Sequence, residues 1–147
     1  MKNIIICGAS KNLGKYIFDK FGKQNNVLGI SRSKVNNKNY FSANLNSLIQ
    51  TKGIFNQIKK KVKKIDAIIF CVGNSKRNYN KIPNINDFTQ SFDSNFYPFV
   101  NVLNSYLNIF KKKPVKFIVI SSIAGLVNIN APITYSVAKN ALNFYCM

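Results

Sequence analysis

Five short apolar runs, each ending in a polar or glycine-bearing turn and separated by longer stretches of helical spacing, organise the chain from Lys2 to Ser121. The runs are Lys2–Cys7, Val27–Ser31, Tyr40–Ala43, Ala67–Val72 and Val115–Ser121. The first of these is a continuous apolar run, which marks a strand buried on both faces, as in a parallel sheet with helices above and below. The spacing predicts helices near Leu13–Lys23, over the stretch holding Ile54, Ile58, Val62 and Ile65, from Asp87 to about Phe110, and from about Thr134. Pro98 should disturb the third of these, because proline brings no backbone donor. Lys111, Lys112 and Lys113 close it, where cations suit the negative end of the helix dipole. Asn74–Asn84 reads as polar and irregular. With 147 residues and no repeat or linker, the expectation is one α/β domain over residues 1–147.

Composition narrows the chemistry. There are 22 basic residues against 4 acidic ones, a formal charge of +18, and no Glu, His or Trp. Histidine-based acid/base work, the common zinc sites and paired-carboxylate hydrolysis are thereby excluded. The remaining tools are Ser, Tyr, Lys, Asn, Cys or a cofactor, and no metal is expected. The basic excess is 20 Lys to 2 Arg, and Lys, Asn and Ile together make 62 of the 147 residues. That bias resembles A/T-rich coding pressure on tolerant surface positions, so the charge reads as a solvated surface. Lys59, Lys60, Lys61, Lys63 and Lys64 then form the wet face of an amphipathic helix. A nucleic-acid partner would need Lys59–Lys64, Lys76, Arg77, Lys81 and Lys111–Lys113 in one continuous patch, and Arg, the better phosphate fork, is scarce. This partner ranks last.

Cys7, Cys71 and Cys146 show neither CxxC nor metal spacing. Cys7 and Cys71 end apolar runs, as buried reduced thiols do. No apolar stretch approaches the ~20 residues of a membrane span. The first strand begins too early for a signal peptide. A cytoplasmic protein without membrane partners is the expectation.

Two local patterns point to chemistry. Cys7-Gly8-Ala9-Ser10-Lys11-Asn12-Leu13-Gly14 joins a strand to a helix, where a glycine lets backbone approach a pyrophosphate and the helix start offers amides. With only Gly8 and Gly14 present, an ordinary tight turn fits the same residues. Tyr135 and Lys139 are four apart on a helix, which places an ammonium beside a phenol whose pKa is near ~10. By chance alone, 7 Tyr among 20 Lys in 147 residues give about one such pair. Tyr16 and Lys20 make a second, read as incidental.

The order of motifs is more specific than any one of them. GASKNLG follows the first strand, Asn95 lies in the long helical stretch, Gly73 ends the fourth strand, and Ser122 precedes Tyr135 by thirteen residues. From residue 2 to the end, this set resembles the classical short-chain dehydrogenase/reductase family. The resemblance implies a Rossmann-like, doubly wound parallel sheet in three αβα layers. Its five strands would run in the order 3-2-1-4-5, without the last strands of the full family fold. It implies Tyr135 as general acid/base, Ser122 on the substrate oxygen, Lys139 lowering the Tyr135 pKa and binding the nicotinamide ribose, and Asn95 holding a relay water. The cofactor residues would be Gly8, Ser10, Lys11, Asn12, Leu13, Gly14, Arg32, Asn44, Leu45, Cys71 and Gly73, with Tyr135 and Lys139. The reaction would be hydride exchange with a small alcohol or carbonyl substrate. Arg32 after the second strand, with Lys11, favours NADP(H) over NAD, since an acidic residue there would instead take the ribose hydroxyls. Association through the long helices is a family habit. Phe92, Phe96 and Phe99 suit such a face, and equally a core.

The chain also departs from the family. Asn12 stands for a glycine, Asn44 for the Asp beside the adenine, and Phe70-Cys71-Val72-Gly73 for N-N-A-G. It stops eight residues after Lys139, where relatives continue into further strands and a substrate lid, so a fragment of a longer enzyme is expected. Read singly, Ser122 could cap a loop, Asn95 repair backbone near Pro98, Lys139 sit on the surface and Tyr135 pack as an aromatic. A nucleotide-binding Rossmann remnant without turnover is the second reading.

Overall fold

The computed structural model describes residues 1–75, 82–111 and 113–147. Its strands are β1 (Asn3–Cys7), β2 (Asn26–Ser31), β3 (Tyr40–Ser42), β4 (Ala67–Phe70) and β5 (Lys116–Val119). They form one parallel sheet in the order β3-β2-β1-β4-β5. The Rossmann-like arrangement expected from the sequence is therefore present. The chain reverses direction across the sheet between β1 and β4, so the loops after these two strands diverge and leave a crevice at their carboxyl ends.

Helices α1 (Asn12–Phe21), α2 (Leu48–Lys61), α3 (Ile85–Asn95), α4 (Tyr97–Ile109) and α5 (Ile133–Tyr145) flank the sheet. Alternation along each strand decides which helix each residue meets. Ile5 and Cys7, with Leu28, Ile30, Ile68 and Phe70, face Phe55 and Ile58 of α2, Val102 and Tyr106 of α4, and Leu142 of α5. Ile4 and Ile6, with Val27 and Ile69, face Ile17 and Phe18 of α1. The cover is uneven: among the described residues, nineteen buried residues form the first core and five the second. Each fully buried Ile contributes about 1.5–3 kcal/mol relative to leaving it exposed.

Two expected helices are corrected. The stretch from Asp87 to Phe110 is two helices, broken at Phe96, which has φ −119° and ψ −60°. Pro98 then sits in the first turn of α4, where its missing N–H costs nothing. The first of the two begins earlier than expected, at Ile85, because Asn84 and Asp87 build a capping box. The helix expected to carry Ile54, Ile58, Val62 and Ile65 ends at Lys61. Val62 is extended (φ −136°), and both it and Ile65 are buried on the way into β4. Lys63 and Lys64 thus lie beyond α2 rather than on its wet face. Lys59 lies 4.5 Å over the Phe110 ring, and Lys61 lies 4.9 Å over Phe41 while donating to the Lys38 carbonyl at 2.5 Å.

The lysines after α4 do not extend it. Phe110 caps it, Lys111 turns away with φ +53°, and Tyr106 Oη donates to the Lys113 carbonyl at 2.8 Å. Lys112, and Lys76, Arg77 and Lys81 of the basic patch considered above, lie outside the described residues, as does most of the irregular stretch 74–84. Strand limits are one or two residues tighter than expected at β4 and β5. Cys7 is buried and Cys71 half-buried, and both are free thiols. Phe99 is core, while Phe92 and Phe96 stack edge-on in a half-buried aromatic group that reaches Tyr145. Among the described residues, no helix is long and apolar enough to cross a membrane.

Candidate functional site

The loops after the strands enclose a cavity of about 370 Å³ at the carboxyl end of the sheet. One wall is the turn from β1 to α1. Gly8 adopts φ +86°, and a Cβ there would lie 3.1 Å from the Cys71 carbonyl carbon and oxygen, so only glycine lets these two loops pass. Asn12 adopts φ +51°, a left-handed conformation that asparagine tolerates better than most residues. Lys11 is the N-cap of α1 but makes no side-chain capping bond. The first amides of α1 are thus left for whatever fills the cavity, at the positive end of the helix dipole.

Ser31 ends β2 and Arg32 and Ser33 follow it, and Ala43 to Asn46 follow β3. Cys71 to Asn74 follow β4, and Ile120 follows β5. All eleven residues assigned to the cofactor alone line this cavity: Gly8, Ser10, Lys11, Asn12, Leu13, Gly14, Arg32, Asn44, Leu45, Cys71 and Gly73. The remaining wall, Asp93, Ser94 and Pro98 from α3 and α4, was not anticipated. Asn101, one turn along α4 from Pro98, donates through Nδ2 to the Leu45 and Asn46 carbonyls at 3.0 and 3.1 Å, which pins α4 against the loop after β3. No sequence motif marks this wall. Its one signal is Asp93 itself, an acid in the last turn of a helix in a chain with only four acids.

Asn95, Ser122, Tyr135 and Lys139 are not among the lining residues; Asn95 and Lys139 reach the end formed by Cys71–Asn74 and Ile120. Gly73 measures the approach. A Cβ on it would lie 3.0 Å from Lys139 Nζ and 3.1 Å from Asn95 Oδ1. Asn95 is fully buried: its Oδ1 accepts from the Asn74 amide at 2.9 Å, and its Nδ2 donates to the Asn74 and Ser91 carbonyls at 3.0 and 2.9 Å. One oxygen lone pair remains. Lys139 is 3 % exposed, its Nζ 3.4 Å from the Ile120 carbonyl and 5.9 Å from the Tyr135 ring centroid. Burial pulls its pKa below the usual lysine value, and the nearby Cys71 works the other way. Burial raises the Cys71 thiol in turn, with Lys139 opposing.

Ser122 caps a 3-10 turn at Ile123–Gly125, its Oγ accepting from the Ala124 amide at 3.2 Å. The hydroxyl proton is left to donate elsewhere. The turn is held on α5 by Asn140 and Asn143, whose Nδ2 atoms donate to the Gly125 carbonyl at 2.9 and 3.4 Å, and by a Ser121 to Asn143 hydrogen bond. Ser122 is therefore carried by the same helix that carries Tyr135 and Lys139. By contrast, Tyr16 and Lys20 form only an exposed 3.4 Å contact on α1. No cluster of three or more Cys or Asp suited to a metal occurs among the described residues.

A parallel sheet reversing beside a glycine turn, with a buried Lys and a buried Asn at one end of the crevice, defines a Rossmann-type domain. A family model described as short chain dehydrogenase matches residues 2–147, and the chain belongs to that family. Three solved structures are similar. A short chain dehydrogenase/reductase from Saccharomyces cerevisiae is 26% identical, with TM-score 0.85 over 99% of this chain and 63% of its own. Ligand-free aldohexose dehydrogenase from Thermoplasma acidophilum is 16% identical, with TM-score 0.86 over 98% and 58%. ElxO with NADP bound is 22% identical, with TM-score 0.85 over 98% and 64%. The chain thus spans about three fifths of the length of these structures. A comparison with curated protein sequences finds no match.

Proposed function

We propose that this chain binds NADP(H) and carries the proton-handling residues of an oxidoreductase acting on a small alcohol or carbonyl compound. The observation that carries the reading is the approach of Lys139 Nζ and Asn95 Oδ1 to Gly73, at the end of the cavity bounded by Cys71–Asn74 and Ile120. The cavity fits a dinucleotide phosphate. The uncapped α1 amides suit a pyrophosphate, and Arg32 and Lys11, both on its lining, suit a further phosphate. ElxO, of similar fold, was solved with NADP bound.

When bound, a nicotinamide supplies or takes the hydride. Tyr135 gives or takes the proton at the substrate oxygen, and Ser122 donates its free hydroxyl proton to the same oxygen. Lys139, its Nζ 5.9 Å from the Tyr135 ring centroid, is placed to bind the nicotinamide ribose. Asn95 fixes the Gly73–Asn74 backbone beside Lys139, and its remaining lone pair is the place for a water between Lys139 and solvent.

The test is fluorescence titration of the 147-residue chain with NADPH and NADH. Tighter NADPH binding is expected, with turnover abolished and binding spared in Tyr135→Phe. Failure of a folded sample to bind either dinucleotide would overturn the reading. Binding without turnover of any carbonyl compound would favour a nucleotide-binding remnant instead.

A further inference from the structure

The two edges of the sheet are finished differently. β3 has three residues, and the Lys61 ammonium lies over Phe41 and donates to the Lys38 carbonyl, a charged cover that keeps other strands away. β5 carries no lysine beyond its first residue, Lys116. The Lys116 and Ile120 amides donate to the Asp66 and Phe70 carbonyls at 3.1 and 2.9 Å, so residues 116, 118 and 120 turn their backbone groups to β4. The N–H and C=O groups of Phe117 and Val119 therefore point outward, past the last strand of the sheet.

Side chains make this edge apolar. Phe117 and Val119 pack on the larger core. Ile118 points to the face covered by α1, whose core holds no residue of β5, and it is 40% exposed. Among the thirty-one residues from Phe117 to Met147 the one charged side chain is Lys139, and it is buried. Ile123, Leu126 and Val127, exposed in and after the 3-10 turn, continue the apolar run beyond the strand.

We propose that β5 is a self-association edge: a second copy of this chain pairs its own β5 antiparallel with it, across a two-fold axis at Ile118. Phe117 and the partner's Val119 then exchange two backbone hydrogen bonds, Val119 and the partner's Phe117 do the same, and the two Ile118 side chains meet on the axis. Charge selects this partner. Copies of formal charge +18 repel on most approaches. The β5 edge brings them together with the least repulsion, because the pairing sets the two Lys116 residues four positions apart along the strands, about 14 Å and beyond a Debye length of ~8 Å. An acidic partner gains little from a surface so poor in cations. The contact uses neither of the long helices α3 and α4, and it is independent of the dinucleotide reading.

The experiment is sedimentation equilibrium of the 147-residue chain from micromolar to millimolar concentration, at low and high salt, on the unaltered chain and on Ile118→Lys. The mass should rise from 16.7 kDa toward twice that value, and the association should strengthen with salt as the repulsion is screened. Ile118→Lys should raise the dimer dissociation constant about tenfold or more, by setting two ammonium groups face to face in place of two apolar side chains. Its thermal midpoint at the lowest concentration should match that of the unaltered chain, because this side chain lies outside the core. A geometric check starts from Cys146→Ser, which removes the exposed native thiol. In that background diamide should trap Ile118→Cys as a disulfide-linked dimer, since residues opposed in a non-hydrogen-bonded pair have Cα atoms about 4.5 Å apart, within disulfide reach. Ile123→Cys, more exposed but off the axis, should stay monomeric. A chain that remains monomeric at every concentration overturns the proposal and leaves the edge to a strand from another polypeptide. A dimer that Ile118→Lys leaves unchanged, or a crosslink as ready at Ile123→Cys as at Ile118→Cys, overturns it too.

Discussion

Asn74 and Asn95 clasp each other across the top of the sheet: the Asn74 amide donates to Asn95 Oδ1 at 2.9 Å, and Asn95 Nδ2 returns a 3.0 Å bond to the Asn74 carbonyl. The clasp joins the loop after β4 to the end of α3 and holds Gly73 where Lys139 Nζ comes close. Asn95→Ala removes three hydrogen bonds from a buried position. Unpaired backbone groups of that kind cost about 1–3 kcal/mol. Urea unfolding should show a loss of that size, and dinucleotide affinity should fall with it as Gly73 loosens.

Asn12 holds a left-handed backbone at φ +51° where the family has glycine. Asn12→Ala should destabilise the fold by about 1–2 kcal/mol, the cost of this conformation to an ordinary side chain. Asn12→Gly should be neutral or nearly so, since glycine adopts the conformation freely but gains entropy when unfolded. Thermal denaturation of the pair separates backbone strain from loss of the asparagine side chain. Equal losses in both variants would assign the effect to the side chain.

Alkaline pH should unfold this protein early. Burial raises the pKa of Cys7, Cys71 and Cys146 above 9.0 and of Tyr40 and Tyr106 above 10.0. Each keeps its proton in the fold at pH values where the unfolded chain has released it, so the stability it contributes is complete below the unfolded pKa and lost as pH climbs through the folded one. Lys139 runs the other way: its lowered pKa means the fold regains stability as pH rises toward 10.5. With five groups against one, urea midpoints should fall from pH 8 to pH 10. Cys7→Val should flatten that fall, because Cys7 is fully buried.

Arg32→Ala should weaken NADPH at least tenfold, the scale of a lost hydrogen bond between charged groups, and NADH by less than about threefold. Titration at two salt concentrations adds a check, since the arginine-dependent part of NADPH binding should shrink as salt rises. Equal weakening of both dinucleotides would remove Arg32 from the phosphate-reading role.

Much of this fold was legible because parallel strands buried on both faces, such as β1, write themselves as unbroken apolar runs. The break at Phe96 was not legible. Phe88 and Phe92 before it, Phe96 at it and Phe99 after it keep the apolar spacing running through the break, although only α4 reaches the larger core, and Pro98 fits a helix start as well as a kink. Val62 and Ile65 misled for a related reason: three- and four-residue spacing is satisfied by chain that has left the helix and turned inward. The glycine turn and the Tyr135–Lys139 pair were legible because each is local. The cavity wall of Asp93, Ser94 and Pro98 was not, because its helices reach the cavity only through packing between elements far apart in sequence.

The uneven cover of the sheet sets where this molecule breathes. Amides of β1 are sealed by both cores and should exchange with solvent only on global unfolding, whereas α1 is held by the smaller core alone. The same helix presents its first turn to the cavity. A ligand seated there must therefore still a helix that otherwise frays, and part of its intrinsic affinity is consumed in doing so. Deuterium uptake along α1 would then titrate with ligand concentration, making that one helix a built-in occupancy gauge.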